Sequence, residues 1–179
     1  ARYAAICQAG GIVPMVEPEV LMDGAHTIDS CAIATEWALK ETFQELYFAG
    51  VALEGIILKP NMVISGKKCA TQASREEVAE KTLKVLKRCV PAAVPGIAFL
   101  SGGQSSEDAT AHLHYMNAAG PLPWKLTFSY GRALQADALK TWSGKPENVA
   151  AGQRAFAHRA RMNALAASGR WSQDQEKAA

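Results

Sequence analysis

Each of four short apolar segments in the sequence ends in a residue whose side chain can take part in chemistry. In chain order these residues are Glu17, Lys59, Ser101 and Ser129, and Arg132 follows three positions after the last of them. A carboxylate can transfer protons, an amine can add to a carbonyl, and hydroxyl and guanidinium groups can bind an anion. Because the carboxyl ends of parallel strands form the active-site face of open α/β sheets and barrels, the pattern predicts one shared site.

Lys59 is the candidate nucleophile. It follows the apolar string EGIIL and precedes Pro60, which places its amine at the mouth of a predicted buried strand. Removal from water disfavours the charged form of an amine, and the neutral amine can attack a ketone to form a Schiff base. The alternative is a lysine whose head group only reaches solvent at the end of the strand.

Glu17 and Glu19 are candidate proton-transfer groups. Pro18 between them favours an extended conformation for Glu17, and residues two apart in an extended segment share a side. Two neighbouring carboxylates oppose each other's ionisation, which suits proton transfer near neutral pH. The alternative is a pair of glutamates that cap a helix or form salt bridges.

Two glycine-containing loops are candidate phosphate sites. The string SGGQS spans 101–105 and the string SYGR spans 129–132. In the first loop, Gly102 allows backbone N–H groups to approach a phosphate, and the predicted helix that follows adds a favourable dipole. In the second loop, Arg132 can hold a phosphate through two parallel hydrogen bonds. The alternative for the Gly-Gly string is a tight connection with no ligand.

The same four segments define the fold class. They are rich in branched residues, they do not alternate strictly between apolar and polar, and they lie at 11–17, 53–59, 96–101 and 125–130. Continuous apolar segments are typical of parallel strands that are covered on both faces. Segments of helical period follow them, at 27–49, 74–90, 105–119, 133–141 and from 146 onward. This alternation predicts repeated βα units, arranged either as a small open sheet or as half of an eight-stranded barrel.

Local signals mark the ends of some of these elements. Ser74 followed by Glu77 predicts a capped helix start. The basic string RAFAHRARMNALAASGR is predicted to form a solvated face, and the final string RWSQDQEKAA a solvated tail. The absence of a Gly-x-Gly-x-x-Gly turn after the first strand disfavours a dinucleotide-binding sheet.

The composition argues against several classes of function. Hydrophobic residues make up 49% of the chain, charged residues 20%, and the net charge is +2, so no strong field attracts nucleic acid or an acidic membrane. The four cysteines contain no C-x-x-C pair, which disfavours a zinc ribbon or a dense disulfide framework and predicts a reduced, cytoplasmic compartment. No apolar stretch is long enough to span a bilayer. His112 and His114 lie two apart on a predicted helix, so they are not expected to bind a metal together.

Four strings in the sequence resemble the motifs of one known family. VPMVEPEV, LEGIILKPNMV, FLSGGQS and LTFSYGRALQ are similar, in order and spacing, to class I fructose-bisphosphate aldolase, the Schiff-base type, and most of all to its bacterial members. The resemblance covers essentially the whole chain. It implies a (β/α)₈ TIM barrel and a lyase of glycolysis and gluconeogenesis. Such an enzyme reversibly cleaves fructose 1,6-bisphosphate into dihydroxyacetone phosphate and glyceraldehyde 3-phosphate, without a metal or other cofactor.

The resemblance also implies a role for each matching residue. The lysine of the LKPNMV motif forms the Schiff base in the family and corresponds to Lys59. The glutamates of the VEPE motif correspond to Glu17, which moves protons during imine formation, and to Glu19, which supports it. The residues that correspond to the site for the 1-phosphate of the ketose are Ser101, Gly102, Ser129, Gly131 and Arg132.

The resemblance extends only to the carboxyl-terminal half of the family's barrel. Residues 1–179 are therefore expected to form one domain segment that supplies its last four βα units. In the family, the amino-terminal half carries the base for carbon–carbon cleavage and the second phosphate site, so activity is expected to require that half as a partner. A homo-oligomer is also expected, since tetramers are common in the family. The alternatives are a non-catalytic half barrel that binds a sugar phosphate or an assembly partner, and another Schiff-base lyase with a related substrate.

Overall fold

A computed structural model describes residues 1–177, in which helices and strands alternate along the chain, except that the last two α-helices follow one another with no strand between them. The strands are β1 (Met15–Val16), β2 (Ile57–Leu58), β3 (Gly96–Phe99) and β4 (Lys125–Phe128). The α-helices are α1 (Arg2–Ala9), α2 (Ile28–Phe48), α3 (Arg75–Cys89), α4 (Ser106–Ala118), α5 (Arg132–Trp142) and α6 (Val149–Ala167). Short 3₁₀ turns span Leu53–Gly55, Pro146–Asn148 and Gln173–Lys177. None of the helices in this range combines the length and apolarity that crossing a bilayer requires.

The four strands form one parallel sheet in the order β1-β2-β3-β4. Backbone hydrogen bonds continue the ladder past the strand ends: the N–H of Lys59 donates to the carbonyl of Val16 at 2.7 Å, and that of Ser129 to Phe99 at 2.9 Å. The carboxyl ends of neighbouring strands are therefore aligned. The predicted series of parallel βα units is confirmed.

The two faces of the sheet differ in how well they are covered. On one face Leu58, Ile97 and Phe99 are fully buried and share a core with residues of α2, α3 and α4. On the other face Met15 is 36% exposed, and Thr127 is exposed as well. Within residues 1–177 this second face is therefore only partly covered, as expected for half of a barrel. Since neighbouring side chains alternate, Lys59 lies on the side opposite Leu58.

The predicted start of α3 is confirmed. Ser74 accepts a hydrogen bond from the backbone N–H of Glu77 at 3.2 Å, as a capping residue should. The apolar stripe of this helix is buried, and the helix ends two residues before Pro91. Helix α1 was not predicted, because it has no apolar stripe and buries only Ala4. It is held instead by the side chain of Gln8, which makes two hydrogen bonds to the backbone of Ala52.

Trp171 and Glu176 anchor the carboxyl-terminal segment, so the prediction of a solvated tail is wrong at these two residues, although Asp174 and Lys177 are exposed. The two oxygens of the Glu176 carboxylate each accept a hydrogen bond from the guanidinium of Arg159 at 2.9 Å, and Trp171 donates a further one at 2.8 Å. The side chains of Arg159 and Glu176 are only 8% and 9% exposed. The prediction that the basic string forms a solvated face is therefore also wrong at Arg159. Although burial opposes ionisation, these hydrogen bonds hold the pKa of Glu176 below its ordinary value.

A buried histidine fixes the loop that follows β3. The ring of His112 in α4 hydrogen-bonds through Nδ1 to Oε1 of Gln104. The side-chain amide of Gln104 donates to the carbonyl of Ser101 at 2.8 Å, so its oxygen is the atom that faces the histidine. Nδ1 therefore carries the proton of the neutral ring. Burial lowers the pKa of His112 to about 4, against partial opposition from the nearby Asp108 carboxylate.

Substitution of Glu176 should destabilise the fold. Glu176→Gln removes the nearer of the two carboxylates that face the buried guanidinium of Arg159, at 2.9 Å compared with 3.9 Å for the more exposed Asp137, which costs about 3 kcal/mol of unfolding free energy. Urea unfolding monitored by tryptophan fluorescence measures this loss. Asp174→Asn is the matched control, because Asp174 pairs with Lys177 at a distance of 3.1 Å in a highly exposed setting. Equal stability of the two variants would contradict the packed terminus.

The stability of the fold should depend on the titration of His112. Its pKa is about 4 when folded and 6.5 when unfolded, so the unfolded chain binds the proton first as the pH falls. The unfolding free energy should therefore decrease from pH 6.5 toward pH 4, by up to about 3 kcal/mol from this group. Urea unfolding at several pH values should show a shallower decrease for His112→Asn than for the unaltered chain. Parallel curves for the two proteins would contradict a buried neutral histidine.

Candidate functional site

Lys59 and Glu17 meet at the aligned ends of β2 and β1. The amine Nζ of Lys59 lies 3.1 Å from Oε1 of Glu17. The side chain of Lys59 is 19% exposed and that of Glu17 is 44% exposed, so the amine is more sheltered than its partner. A carboxylate at hydrogen-bond distance can give or take the protons that an amine exchanges when it adds to a carbonyl. The structure therefore brings the predicted nucleophile and one predicted proton-transfer group together.

Glu19 has a different setting. It lies in the irregular segment after β1 and is exposed. Within the described part of the chain it forms no ion pair, whereas Glu17 pairs with Lys59. The regular strand β1 ends at Val16, before both glutamates. Only the first of the two glutamates contacts the amine.

Asn61 orders this region and was missed by the sequence analysis. It is 3% exposed, and its side-chain oxygen accepts from the backbone N–H of Val20 at 3.0 Å. Its amide nitrogen donates to the hydroxyl of Thr35 in α2, also at 3.0 Å. Asn61 thus ties the segment that carries the glutamates to the segment that carries Lys59. The signal in the sequence that could have identified Asn61 was an amide side chain in the string LKPNMV, which is apolar apart from this residue and Lys59.

The Gly-Gly turn after β3 is tightly enclosed. Ser101 is 6% exposed, and both Gly102 and Gly103 adopt left-handed backbone conformations, with φ of 56° and 69°. A Cβ atom at Gly102 would lie 2.6 Å from Cε of Met22, which belongs to the loop after β1. The positive φ favours glycine at both positions, and a side chain at Gly102 would also have to push the end of Met22 aside.

The loop after β4 approaches the same turn. The hydroxyl of Tyr130 donates to the carbonyl of Ala109 in α4 at 2.8 Å, and burial raises the pKa of this tyrosine. Gly131 is the residue that precedes α5, and Arg132 is its first residue. The Nη2 atom of Arg132 lies 3.7 Å from the position that a Cβ atom at Gly103 would occupy. The two loops predicted to bind phosphate therefore meet at Gly103.

A second cation, Lys67, reaches this point and was not predicted. Its Nζ lies 2.6 Å from the same Cβ position at Gly103, and 3.3 Å from Oδ1 of Asp23. A cavity of about 350 Å³ adjoins the turn and is lined by Lys67, Gly103 and His112 among others. This contact could not be predicted from neighbouring residues, because it joins loops that follow different strands.

The described residues form a half-buried amine beside a carboxylate, and a glycine turn flanked by two cations. The amine can form an imine with a carbonyl compound, and the cations beside the turn can hold an anion. Between residues 1 and 177, no group of three or more His, Cys, Asp and Glu residues is placed to hold a metal ion. His112 hydrogen-bonds to Gln104, and His114 packs against the ring of Trp171.

Comparison with known proteins agrees with the resemblance of the motifs. The family described as "Glycolytic: Fructose-bisphosphate aldolase class-I" matches residues 1–179. A probable fructose-bisphosphate aldolase class 1 of Xanthomonas axonopodis pv. citri is 57% identical over 172 residues, which cover 96% of this chain and 52% of the relative. A fructose-bisphosphate aldolase of Plasmodium falciparum (isolate 3D7) is 52% identical over 171 residues, which cover 96% of this chain and 46% of the relative. The chain thus spans about half the length of these curated relatives.

A solved structure extends the similarity to three dimensions. Fructose-bisphosphate aldolase from Plasmodium falciparum, determined in complex with TRAP and a small molecule inhibitor, superposes with a TM-score of 0.93 at 51% sequence identity. The match covers 96% of this chain and 49% of the solved chain. The predicted α/β class, with four parallel βα units of the TIM-barrel type, is confirmed. The chain belongs to the class I fructose-bisphosphate aldolase family.

Proposed function

We propose that this chain supplies the Schiff-base half of a fructose-bisphosphate aldolase, a lyase of glycolysis and gluconeogenesis. The observation that carries the proposal is the contact of 3.1 Å between Nζ of Lys59 and Oε1 of Glu17, at aligned strand ends in a chain of this family. The substrate is fructose 1,6-bisphosphate, which is cleaved reversibly into dihydroxyacetone phosphate and glyceraldehyde 3-phosphate.

The chemistry begins at the amine. The neutral amine of Lys59 adds to the ketone, Glu17 protonates the departing hydroxyl so that water leaves, and an iminium remains. The iminium accepts the electron pair of the carbon–carbon bond that breaks, so the cycle needs neither a metal ion nor another cofactor. Glu19 supports Glu17 in this role. The residues proposed to hold the 1-phosphate of the ketose are Ser101, Gly102, Ser129, Gly131 and Arg132.

The position of Asn61 supports the proposal that Lys59 is the nucleophile and Glu17 the proton-transfer group. Glu17 must stay within hydrogen-bond distance of the amine while the substrate changes shape, although its own segment is irregular beyond β1. The buried amide of Asn61 fixes that segment through Val20, four residues after the end of the strand. A buried side-chain hydrogen bond of this kind holds a proton-transfer group in place without a longer strand.

The edges of the sheet support the proposal that residues 1–179 form one segment, the carboxyl-terminal half of a closed barrel. Within residues 1–177, strands β1 and β4 each pair on one side only, and unpaired edges readily accept another strand. Large apolar side chains near β1 are 59–67% exposed, namely Tyr3, Ile6, Ile12 and Val13. We propose that the amino-terminal half of the barrel covers this region and brings the cleavage base and the second phosphate site. The assembled protein is proposed to be a cytoplasmic homo-oligomer, with a tetramer as the expected state.

Borohydride trapping should identify the nucleophile. Sodium borohydride added with dihydroxyacetone phosphate should reduce one imine per chain, and peptide mass mapping should place the adduct on Lys59. Lys59→Met should abolish the adduct, whereas the control Lys125→Met, at the opposite end of β4, should keep it.

The substitution Glu17→Gln distinguishes the role of Glu17 from that of Lys59. It should slow trapping by roughly 10²-fold without moving the adduct, since the amine remains while proton transfer is lost. An adduct on another lysine, or no adduct in the native protein, would overturn the mechanism. Tight binding of dihydroxyacetone phosphate without trapping would favour the non-catalytic half barrel.

The free edges of the sheet should make the chain associate. Residues 1–179 expressed alone should self-associate, or should bind the amino-terminal half of a close relative, because pairing removes the exposed apolar surface. Size-exclusion chromatography with light scattering measures this, and cleavage of fructose 1,6-bisphosphate should appear only when both halves are present. A monomer that unfolds sharply and binds no amino-terminal half would contradict the proposal.

A further inference from the structure

Two cationic side chains from different loops lie close together at Gly103. Nζ of Lys67 and Nη2 of Arg132 lie 2.6 Å and 3.7 Å from the same Cβ position on this glycine, so the two nitrogen atoms are at most about 6 Å apart. Like charges at this distance repel each other unless an anion lies between or beside them. The arrangement therefore favours an anionic ligand at the turn.

Backbone pairing fixes the position of Lys67. Its N–H donates to the carbonyl of Met22 at 2.9 Å, and the N–H of Lys68 donates to Gly24 at 2.8 Å. The side chain of Met22 packs in turn against Gly102. The loops after β1, β2 and β3 are thus joined by these contacts. The backbone of Lys67 is fixed by them, and its side chain extends from it toward the Gly-Gly turn.

Asp23, the carboxylate beside Lys67, competes only weakly with an anionic ligand for the charge of this lysine. Asp23 lies 3.3 Å away, and its side chain is 69% exposed, compared with 42% for Lys67. An exposed pair of this kind contributes little, and an ammonium group has further donors to offer. None of the ion pairs within residues 1–177 involves Arg132. The cluster therefore has two cations against one solvated acid.

We propose that Lys67 is a second phosphate-binding cation, which acts with Arg132 on the phosphate of the ketose and selects phosphorylated over unphosphorylated substrates. The proposal rests on the function proposed above. When the phosphate binds, its oxygens replace Asp23 as the partner of Lys67, while Arg132 contacts the same phosphate. Lys67 does not take part in imine formation, so its contribution is to binding.

Trapping at Lys59 in the native protein can test this role, with dihydroxyacetone phosphate and dihydroxyacetone compared as substrates. Lys67→Met should raise the half-saturating concentration of dihydroxyacetone phosphate by about tenfold, because it removes a charge-assisted contact. The maximal trapping rate and the response to dihydroxyacetone should stay unchanged. Lys67→Arg should recover most of the loss, and the control Lys68→Met should behave like the unaltered protein.

Asp23→Asn distinguishes phosphate binding from a purely structural ion pair. If Lys67 serves the phosphate, removal of its competitor should leave the half-saturating concentration of dihydroxyacetone phosphate equal or lower. If Lys67 only pairs with Asp23, the two variants should weaken binding equally, and this result would overturn the proposal. An equal loss with dihydroxyacetone in Lys67→Met would also overturn it.

Inorganic phosphate separates failure of this proposal from failure of the proposed function. A ³¹P NMR titration reports phosphate binding whether or not an imine forms. Weaker phosphate binding by Lys67→Met than by Lys68→Met supports the role of Lys67, even if no lysine is trapped. Identical binding by the two variants overturns it, even if Lys59 is trapped normally.

Discussion

The register of the parallel sheet is the constraint on which the candidate site depends. Met15 and Val16 pair with Ile57 and Leu58, so the residues that follow, Glu17 and Lys59, are brought side by side. A slip of one residue would turn Lys59 toward the helices and expose Leu58, which is completely buried. The apolar side chains on the covered face therefore set the register, and the chemistry on the other face follows from it.

The two faces of the sheet serve different purposes. The covered face is filled by large apolar side chains and supplies the burial that holds the strands. The other face carries Lys59 and is only partly sheltered, with this side chain 19% exposed. Electrostatic interactions strengthen as water is excluded, so the contact between Lys59 and Glu17 depends on what covers this face. In the proposed enzyme, closure of the barrel by the amino-terminal half completes the environment of the amine.

Features of the structure that depend on neighbouring residues could be predicted from the sequence. The cap at Ser74, the strand segments and the placement of Lys59 at a strand end all follow from neighbouring residues. Prediction failed where the determinants are contacts between distant segments. Asn61 binds the backbone 41 positions earlier, and Arg159 gains its partner in a string that reads as solvated. Hydrophobic periodicity carries no information about such polar pairs.

The Gly-Gly turn shows how steric and electrostatic requirements combine at the site. The sequence suggests that its glycines allow the backbone to approach a phosphate. The structure adds that the space beside Gly102 is filled by Met22, and the space beside Gly103 by the amine of Lys67. A side chain at either position would push aside the flexible end of Met22 or of Lys67, and at Gly103 it would move the amine of Lys67 away from Arg132. The absence of a Cβ atom at Gly103 therefore affects the charge at the site as well as the packing, because it leaves room for the cationic groups of Lys67 and Arg132 to lie close together.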